Sequence, residues 1–188
     1  MWSDAHLYEL EFADDPEFDV PFWRSVCSDV GAARVLEPAC GTGRLAIPLA
    51  RAGLSVVGFD TSSEFLARAR ERLAAEPPEV RARVSLMPGD MRRPPAEIAA
   101  DGPFDLVVIA FSSMAYLYTR ADQEACLRAA RGLCGEGGRF AFDVIAPHMH
   151  FLADAMQTCP LVRIDADHAA PQHGLARVIR HFSDRYDA

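Results

Sequence analysis

A doubly wound α/β fold, with a mainly parallel sheet covered by helices on both faces, is the architecture this sequence predicts. Three observations carry it. Short apolar runs alternate with amphipathic helical stretches from Arg34 to Val144, the order that builds parallel sheets through crossover helices. The first run ends in a glycine turn, Glu37-Pro38-Ala39-Cys40-Gly41-Thr42-Gly43, that opens directly into a helix. The second run, Val56-Val57-Gly58-Phe59, ends in Asp60, an acid placed where a dinucleotide fold holds a ribose.

The elements follow in order. Pro21 suits the first turn of a helix over Pro21–Val30, since its missing N–H is an orphan there anyway. Strands are expected at Arg34–Glu37, Ser55–Phe59, Arg83–Met87, Leu106–Ala110 and Arg139–Val144. Helices are expected at Gly43–Ala52, Ser63–Ala75, Ala96–Ala99 and Ala121–Cys134, from their 3.6-residue apolar spacing. Thr61-Ser62 supplies a cap for the second of these, and Gly135-Glu136-Gly137-Gly138 ends the last and turns into the fifth strand. Beyond Asp143 a short helix at Pro147–Met156 is expected. Two antiparallel strands, Leu161–His168 and Ala176–Ser183, then form a short C-terminal hairpin around Pro171-Gln172-His173-Gly174.

Composition bounds the function classes. With 188 residues, 50% of them hydrophobic, the chain fits one domain that buries about 70% of its unfolded surface. Residues 1–31 read as an N-terminal lid and helix, 32–146 as a cofactor-binding core and 147–188 as a partial substrate region. No apolar run approaches the roughly 18 residues of a membrane span, and the acidic N-terminus lacks the order of a secretory signal. A cytoplasmic protein is expected. The net charge of −8 disfavours nonspecific binding of nucleic acid, and Arg81, Arg83, Arg92 and Arg93 read as a solvated rim. Five cysteines without a CxxC pair read as reduced thiols. Cys40 is either a nucleophile or a small turn residue, and the turn's need for small residues favours the second. His148, His150, His168, His173 and His181 gather late in the chain without a carboxylate or cysteine at ligand spacing, so no metal site is expected.

Glu37 decides which nucleoside ligand suits the turn. An acid there repels the pyrophosphate that a nicotinamide site holds on helix amides, whereas it attracts an adenosine with a cationic tail. Asp60 can accept from both ribose hydroxyls. The bland alternative is that the glycines serve helix–strand packing and both acids are solvated.

These residues resemble the class I S-adenosylmethionine-dependent methyltransferases, within them the small-molecule-type domain with an acid-x-x-Cys-Gly-Thr-Gly turn. Leu36–Arg44 is similar to the first motif, Gly58–Ser62 to the second and Pro88-Gly89-Asp90-Met91 to the third. Phe104–Leu117 and Leu133–Asp143 are similar to the fourth and fifth strands with their loops. The resemblance implies a Rossmann-like fold and S-adenosylmethionine as cofactor. It implies that Glu37, Ala39, Cys40, Gly41 and Gly43 form the cofactor turn, with Asp60 and Thr61 beside the ribose. The Asp90 carboxylate would then read the adenine amine and the Met91 amide a ring nitrogen. Phe111, at the end of the fourth strand, would lie against the cofactor and Ser112–Leu117 would face its methyl group, with Tyr8, Phe12 and Phe22 closing over it. Two departures stand out: Ala39 replaces the commoner first glycine, which suits a backbone outside the left-handed region, and Tyr116 stands where many relatives carry histidine. Tyr116 is the one candidate catalytic residue, for positioning an acceptor rather than for acid–base chemistry.

Methyl transfer to an unidentified, small-molecule acceptor by direct in-line displacement is the expected function. A non-catalytic cofactor-binding fragment and an NAD(P)-dependent oxidoreductase are the alternatives. The family closes its sheet with a reversed hairpin that this sequence is expected to lack, which reads as a C-terminally truncated form. A homodimer, or a partner covering the open sheet edge, is the matching expectation.

Overall fold

The computed structural model describes Tyr8, residues 19–144 and two strands, 162–165 and 178–181. The chain divides into two compact units, one of Glu17–Val144 with Met1 and one of Trp2–Pro16 with Ile145–Ala188.

The first unit runs α1 (Val20–Asp29), β1 (Arg34–Pro38), α2 (Ala46–Arg51), β2 (Ser55–Asp60), α3 (Ser63–Ala74), α4 (Pro78–Arg81) and β3 (Val84–Pro88). It continues with α5 (Ala96–Asp101), β4 (Phe104–Ile109), a single 3₁₀ turn (Ser113–Tyr116), α6 (Arg120–Leu133) and β5 (Cys134–Phe142). The strands form one parallel sheet in the order β3-β2-β1-β4-β5. The expected fold class is thus borne out. The strand order reverses between β1 and β4, and the crevice outside the carboxyl ends of those two strands is where such sheets bind ligands.

Period-2 geometry explains why these runs are apolar throughout. Val35, Val56, Leu106 and Val108 point to one face and pack with Val20, Trp23 and Cys27 of α1 and with Ala46 and Leu49 of α2. Their chain neighbours Leu36, Val57 and Val107 point to the other face and pack with Ile98 of α5 and Ala130 of α6. Both faces of the central strands are therefore core, as a doubly wound sheet requires. The edge strands β3 and β5 are only partly buried.

Local signals placed most boundaries. Pro21 sits in the first turn of α1, and the Ser62 hydroxyl accepts from the Phe65 N–H at 3.2 Å to cap α3. Three expectations shift. The first crossover helix begins at Ala46 rather than Gly43, because residues 41–45 are spent on turning the chain. The glycine approach to the fifth strand is not a separate turn: β5 starts at Cys134, with Gly137 at φ +77 and a register shift opposite Phe104/Leu106. The short α4, with Pro78 in its first turn, was not foreseen.

In the second unit, β6 (Val162–Asp165) pairs antiparallel with β7 (Val178–His181), inside the two runs expected to form the C-terminal hairpin. The helix expected at 147–156 and the turn at 171–174 lie outside the described residues. Among the described residues no closing strand adds to the five-stranded sheet.

Candidate functional site

The chain ends β1 buried and must reverse within a few residues to start α2. It does so through three left-handed residues, Ala39 (φ 59), Gly41 (φ 56) and Gly43 (φ 73). Two are glycines, which adopt this conformation freely. Ala39 is not, so the expectation that it avoids the left-handed region is corrected. The tight reversal demands that conformation whichever residue stands there, and an alanine in it costs about 1–2 kcal/mol.

Asp60, at the end of β2, is locked against this turn. Its Oδ2 accepts from the Gly41 N–H at 2.9 Å and its Oδ1 from the Ser62 N–H at 2.8 Å. Each oxygen keeps lone-pair capacity for a further donor, so a carboxylate oriented by two amides still has room for two hydroxyls. Thr61 follows it, exposed. Cys40 is buried, and its N–H donates to the Phe59 carbonyl at 3.1 Å. Burial, with Glu37 and Asp60 nearby, pushes its thiol well above the ordinary range, the opposite of an activated nucleophile. Cys40 also explains Gly58: a Cβ there would lie 3.0 Å from the Cys40 Cβ and Sγ.

Glu37 is 4% exposed. It accepts from the Ala46 N–H at the head of α2, yet its Oε2 is buried with no hydrogen-bond partner. Burial pushes the carboxyl up to about 8, opposed by the Arg44 charge and reinforced by Asp19 and Asp60. A buried acceptor lacking a donor is costly, and an ammonium supplies what is missing: donors and a positive charge. Phosphate fits poorly, because the Ala46 amide is already given to Glu37 and the Gly41 amide to Asp60. The residues present therefore fit an adenosine ligand with a cationic, phosphate-free tail.

The third acid, Asp90, follows β3 in a tight turn closed by the Arg93 N–H donating to the Asp90 carbonyl at 2.9 Å. Gly89 is required there, since a Cβ would sit 2.7 Å from Pro95 Cδ and 2.9 Å from Phe59 Cδ2. The Asp90 carboxylate is held by Arg92, whose Nε donates to both oxygens at 3.0 Å and whose backbone N–H donates to Oδ1 at 2.8 Å. These bonds hold Asp90 below the usual carboxylate range. Arg92 also reaches Asp122 of α6 at 3.1 Å. Met91 is half-buried and packs against both Phe59 and Met114 clusters.

Across the switch point, the chain leaves β4 through Phe111 (φ 58) and Ser112 (φ 57), both left-handed. Asp143, just past β5, holds this bend by accepting from the Ser112 N–H at 3.0 Å. The 3₁₀ turn that follows buries Met114 and leaves Tyr116 half-buried. Tyr8 belongs to the second unit, and Phe12 lies outside the described residues; Phe22, on α1, is exposed.

Residues 35–138 match the methyltransferase domain as a protein family. The chain belongs to that family. The chain is 36% identical over 112 residues to YqeM of Bacillus subtilis, an alignment covering 59% of this chain and 42% of that protein. It is 42% identical over 88 residues to magnesium-protoporphyrin O-methyltransferase of Rhodobacter capsulatus, covering 47% of this chain and 35% of the relative. Among solved structures it is similar to the glycopeptide N-methyltransferase MtfA complexed with S-adenosyl-L-homocysteine, at TM-score 0.61 and 30% identity, over 78% of this chain and 54% of the other. The chain thus spans about half the length of these relatives or less. Fold and family together are those of the class I S-adenosylmethionine-dependent methyltransferases.

The structure brings Glu37, Ala39, Cys40, Gly41, Gly43, Asp60 and Thr61 together around one turn. Sequence reasoning missed the pairings of Arg44 with Asp19 and of Ser112 with Asp143. Arg44 is 5% exposed and makes a two-pronged ion pair with Asp19, through Nη1 to Oδ1 and Nη2 to Oδ2, the latter at 3.0 Å. Its guanidinium also lies 4.8 Å from the Phe111 ring centroid. The available signal was the arginine's position, directly before the apolar run Leu45–Ala50, every residue of which is buried.

Proposed function

We propose that this domain binds S-adenosylmethionine through Glu37, Asp60 and Asp90 and positions it for methyl transfer to a small-molecule acceptor. The observation that carries the reading is the unpartnered, buried Oε2 of Glu37 beside an Asp60 already oriented by the Gly41 and Ser62 amides. Glu37 then meets the ammonium, Asp60 takes the ribose hydroxyls, and Asp90, kept ionised by Arg92, accepts from the adenine amine near the Met91 amide. The cofactor supplies an electron-poor methyl carbon that an acceptor lone pair displaces from sulfur. For the protein, the work is alignment of acceptor and methyl, which can contribute up to about 7–11 kcal/mol.

Phe111 and the 3₁₀ turn carrying Tyr116 lie at the carboxyl end of β4, the acceptor side in this reading. Tyr116 positions the acceptor through its hydroxyl. A small acceptor is supported by the similarity to the glycopeptide N-methyltransferase MtfA. The chemical class of its nucleophile is the next quantity to measure, by labelled methyl transfer into metabolite pools. Two sheet edges, at β3 and β5, pair on one side only in the described sheet. Such edges attract a second copy or a partner chain, which light scattering reads out.

Calorimetry with S-adenosylmethionine tests the assignment. The parent chain binds at micromolar concentration, and Asp60→Ala weakens binding at least tenfold, because a charge-accepting partner of two hydroxyls is worth about 1.5–3 kcal/mol. Equal affinity in parent and variant removes Asp60 from the site. Tighter binding of NADH than of S-adenosylmethionine overturns the cofactor.

A further inference from the structure

Two consecutive residues in the first turn of α6 reach opposite ends of the proposed site. Asp122 reaches the adenine end. Its Oδ1 accepts from Arg92 Nη1 at 3.1 Å, while Nε of the same guanidinium holds both oxygens of Asp90. Asp122 is itself pinned: its Oδ2 accepts from the Thr119 hydroxyl at 2.8 Å, and its N–H donates back to that oxygen at 3.1 Å. Asp90, Arg92, Arg93, Ala121, Asp122 and Ala125 line one hollow between the β3 turn and α6, and the Arg92 side chain bridges it.

Gln123 reaches the acceptor end. Its Nε2 donates at 2.9 Å to the carbonyl of Leu117, the residue that ends the 3₁₀ turn carrying Tyr116. One turn further along α6, Cys126 packs with Met114 and Leu117, its Sγ 3.8 Å from Met114 Sδ. Met91, next to Asp90, packs against the same cluster. The adenine turn and the acceptor turn therefore share one helix as their support.

We propose that the first turn of α6 joins the adenine end of the site to the acceptor end, with Asp122 and Gln123 as its positioning residues. The proposal rests on the reading of Asp60 and Asp90 as nucleoside ligands and of residues 113–117 as the acceptor side. An adenine amine on Asp90 fixes the carboxylate that holds Arg92, and Arg92 is fixed in turn to Asp122. A helix turn restrained on one side passes less motion to the Leu117 carbonyl bonded to its other side. Binding that rigidifies one segment lowers the ordering cost at a second without any change of fold. An acceptor then meets a turn already ordered by the nucleoside.

Adenosine is the probe, because it carries the purine and ribose but no methionine arm. The readout is hydrogen exchange at the Ala115 and Leu117 amides, which donate to the Ser112 and Met114 carbonyls at 2.8 and 3.1 Å and so close the 3₁₀ turn. Saturating adenosine slows exchange there at least about fivefold in the parent, the low end of couplings between sites. Gln123→Met keeps the side-chain length and removes the donor, and since Gln123 is exposed it opens no cavity. In this variant the ratio of free to loaded rates falls below about two, under the range of a real coupling. A merely structural role for the bond speeds exchange equally in both states and leaves the ratio unchanged.

Asp122→Asn weakens the pair with Arg92 and lowers the same ratio from the other end; it carries the test if Gln123→Met fails to fold. A ratio that stays at the parent value in either variant overturns the proposal, since direct contact with the nucleoside then protects the turn. A parent that binds adenosine without protecting Ala115 and Leu117 overturns it as well. Adenosine that leaves the Gly41 and Met91 amide shifts unmoved overturns the nucleoside reading instead, and the proposal with it.

Discussion

Replacing Glu37 by glutamine tests the charge logic of the site through a proton count. In the ligand-free chain, burial pushes the Glu37 carboxyl up to about 8, so at pH 7 roughly nine in ten molecules hold it neutral. An ammonium placed on the unpartnered Oε2 favours the ionised form, and binding therefore expels that proton. The ligand's α-ammonium, with an ordinary value of about 7.7–8.0, takes up about 0.1–0.2 proton as it is fixed in its charged form. The net result is release of about 0.8 proton per S-adenosylmethionine at pH 7, rising to about 1 at pH 6. Calorimetry in two buffers of different ionisation enthalpy reads this number directly. Glu37→Gln abolishes the release, leaves the small uptake, and weakens binding about tenfold, the value of one charge-assisted contact less the cost of deprotonation. A parent that releases no proton, or a variant that releases the same amount, refutes the assignment of Glu37.

The same carboxyl predicts a pH dependence of stability: its folded value lies above the roughly 4.3 of an unfolded glutamate, so its contribution is full below about pH 4 and is lost as pH rises through about 8. Glu37→Gln is therefore more stable than the parent at pH 9, by up to about 5 kcal/mol, and the gap in urea midpoint closes toward pH 4. Ala39→Gly relieves a left-handed alanine and raises stability by up to about 1 kcal/mol, net of glycine's entropy; a lowered urea midpoint contradicts the backbone geometry. Gly89→Ala forces a methyl against Pro95 and the fully buried Phe59, costing about 1–3 kcal/mol and weakening S-adenosylmethionine binding by displacing Asp90. Arg92→Met removes the main cause that holds Asp90 low. Binding in that variant begins to fail at a higher pH on acidification than in the parent, whereas identical acid limbs exclude Asp90 from the adenine contact. Tyr116→Phe leaves S-adenosylmethionine affinity unchanged and lowers kcat/KM for the acceptor.

What the sequence revealed, and what it hid, follows from the range of the interactions. The central strands were legible because both faces of the sheet are core, which turns β1, β2 and β4 into unbroken apolar runs. Asp60 was legible because its distance from the glycine turn is set by one crossover, a local quantity. The start of α2 was placed three residues early because amphipathic spacing continues through the turn and does not register the left-handed φ values that delay the helix. The pairings Arg44–Asp19 and Ser112–Asp143 escaped because the partners lie 25 and 31 residues apart, and no local period encodes such a pairing. Ala39 was misjudged for a different reason: side-chain identity was taken to restrain the backbone, whereas the reversal after β1 restrains it more.

The positions of the strained residues complete the link from fold to function. Among the described residues, non-glycine side chains adopt positive φ at Ala39, Phe111 and Ser112 alone. All three lie just past the carboxyl ends of β1 and β4, the two strands that flank the switch point. At about 1–2 kcal/mol each, they withhold roughly 3–6 kcal/mol from a fold of this class, whose net stability is only about 5–15 kcal/mol. Random drift would scatter such costs among the many turns of the chain. Their confinement to one crevice matches the clustering of backbone strain at functional sites. The buried, partnerless Oε2 of Glu37 belongs with them as a fourth cost in the same place. In the proposed reading a cationic adenosine ligand offsets the last of these by supplying the missing donor, so relaxing the backbone at Ala39 and neutralising Glu37 are expected to act differently: the first stabilises the fold and spares binding, and the second stabilises the fold at the expense of binding.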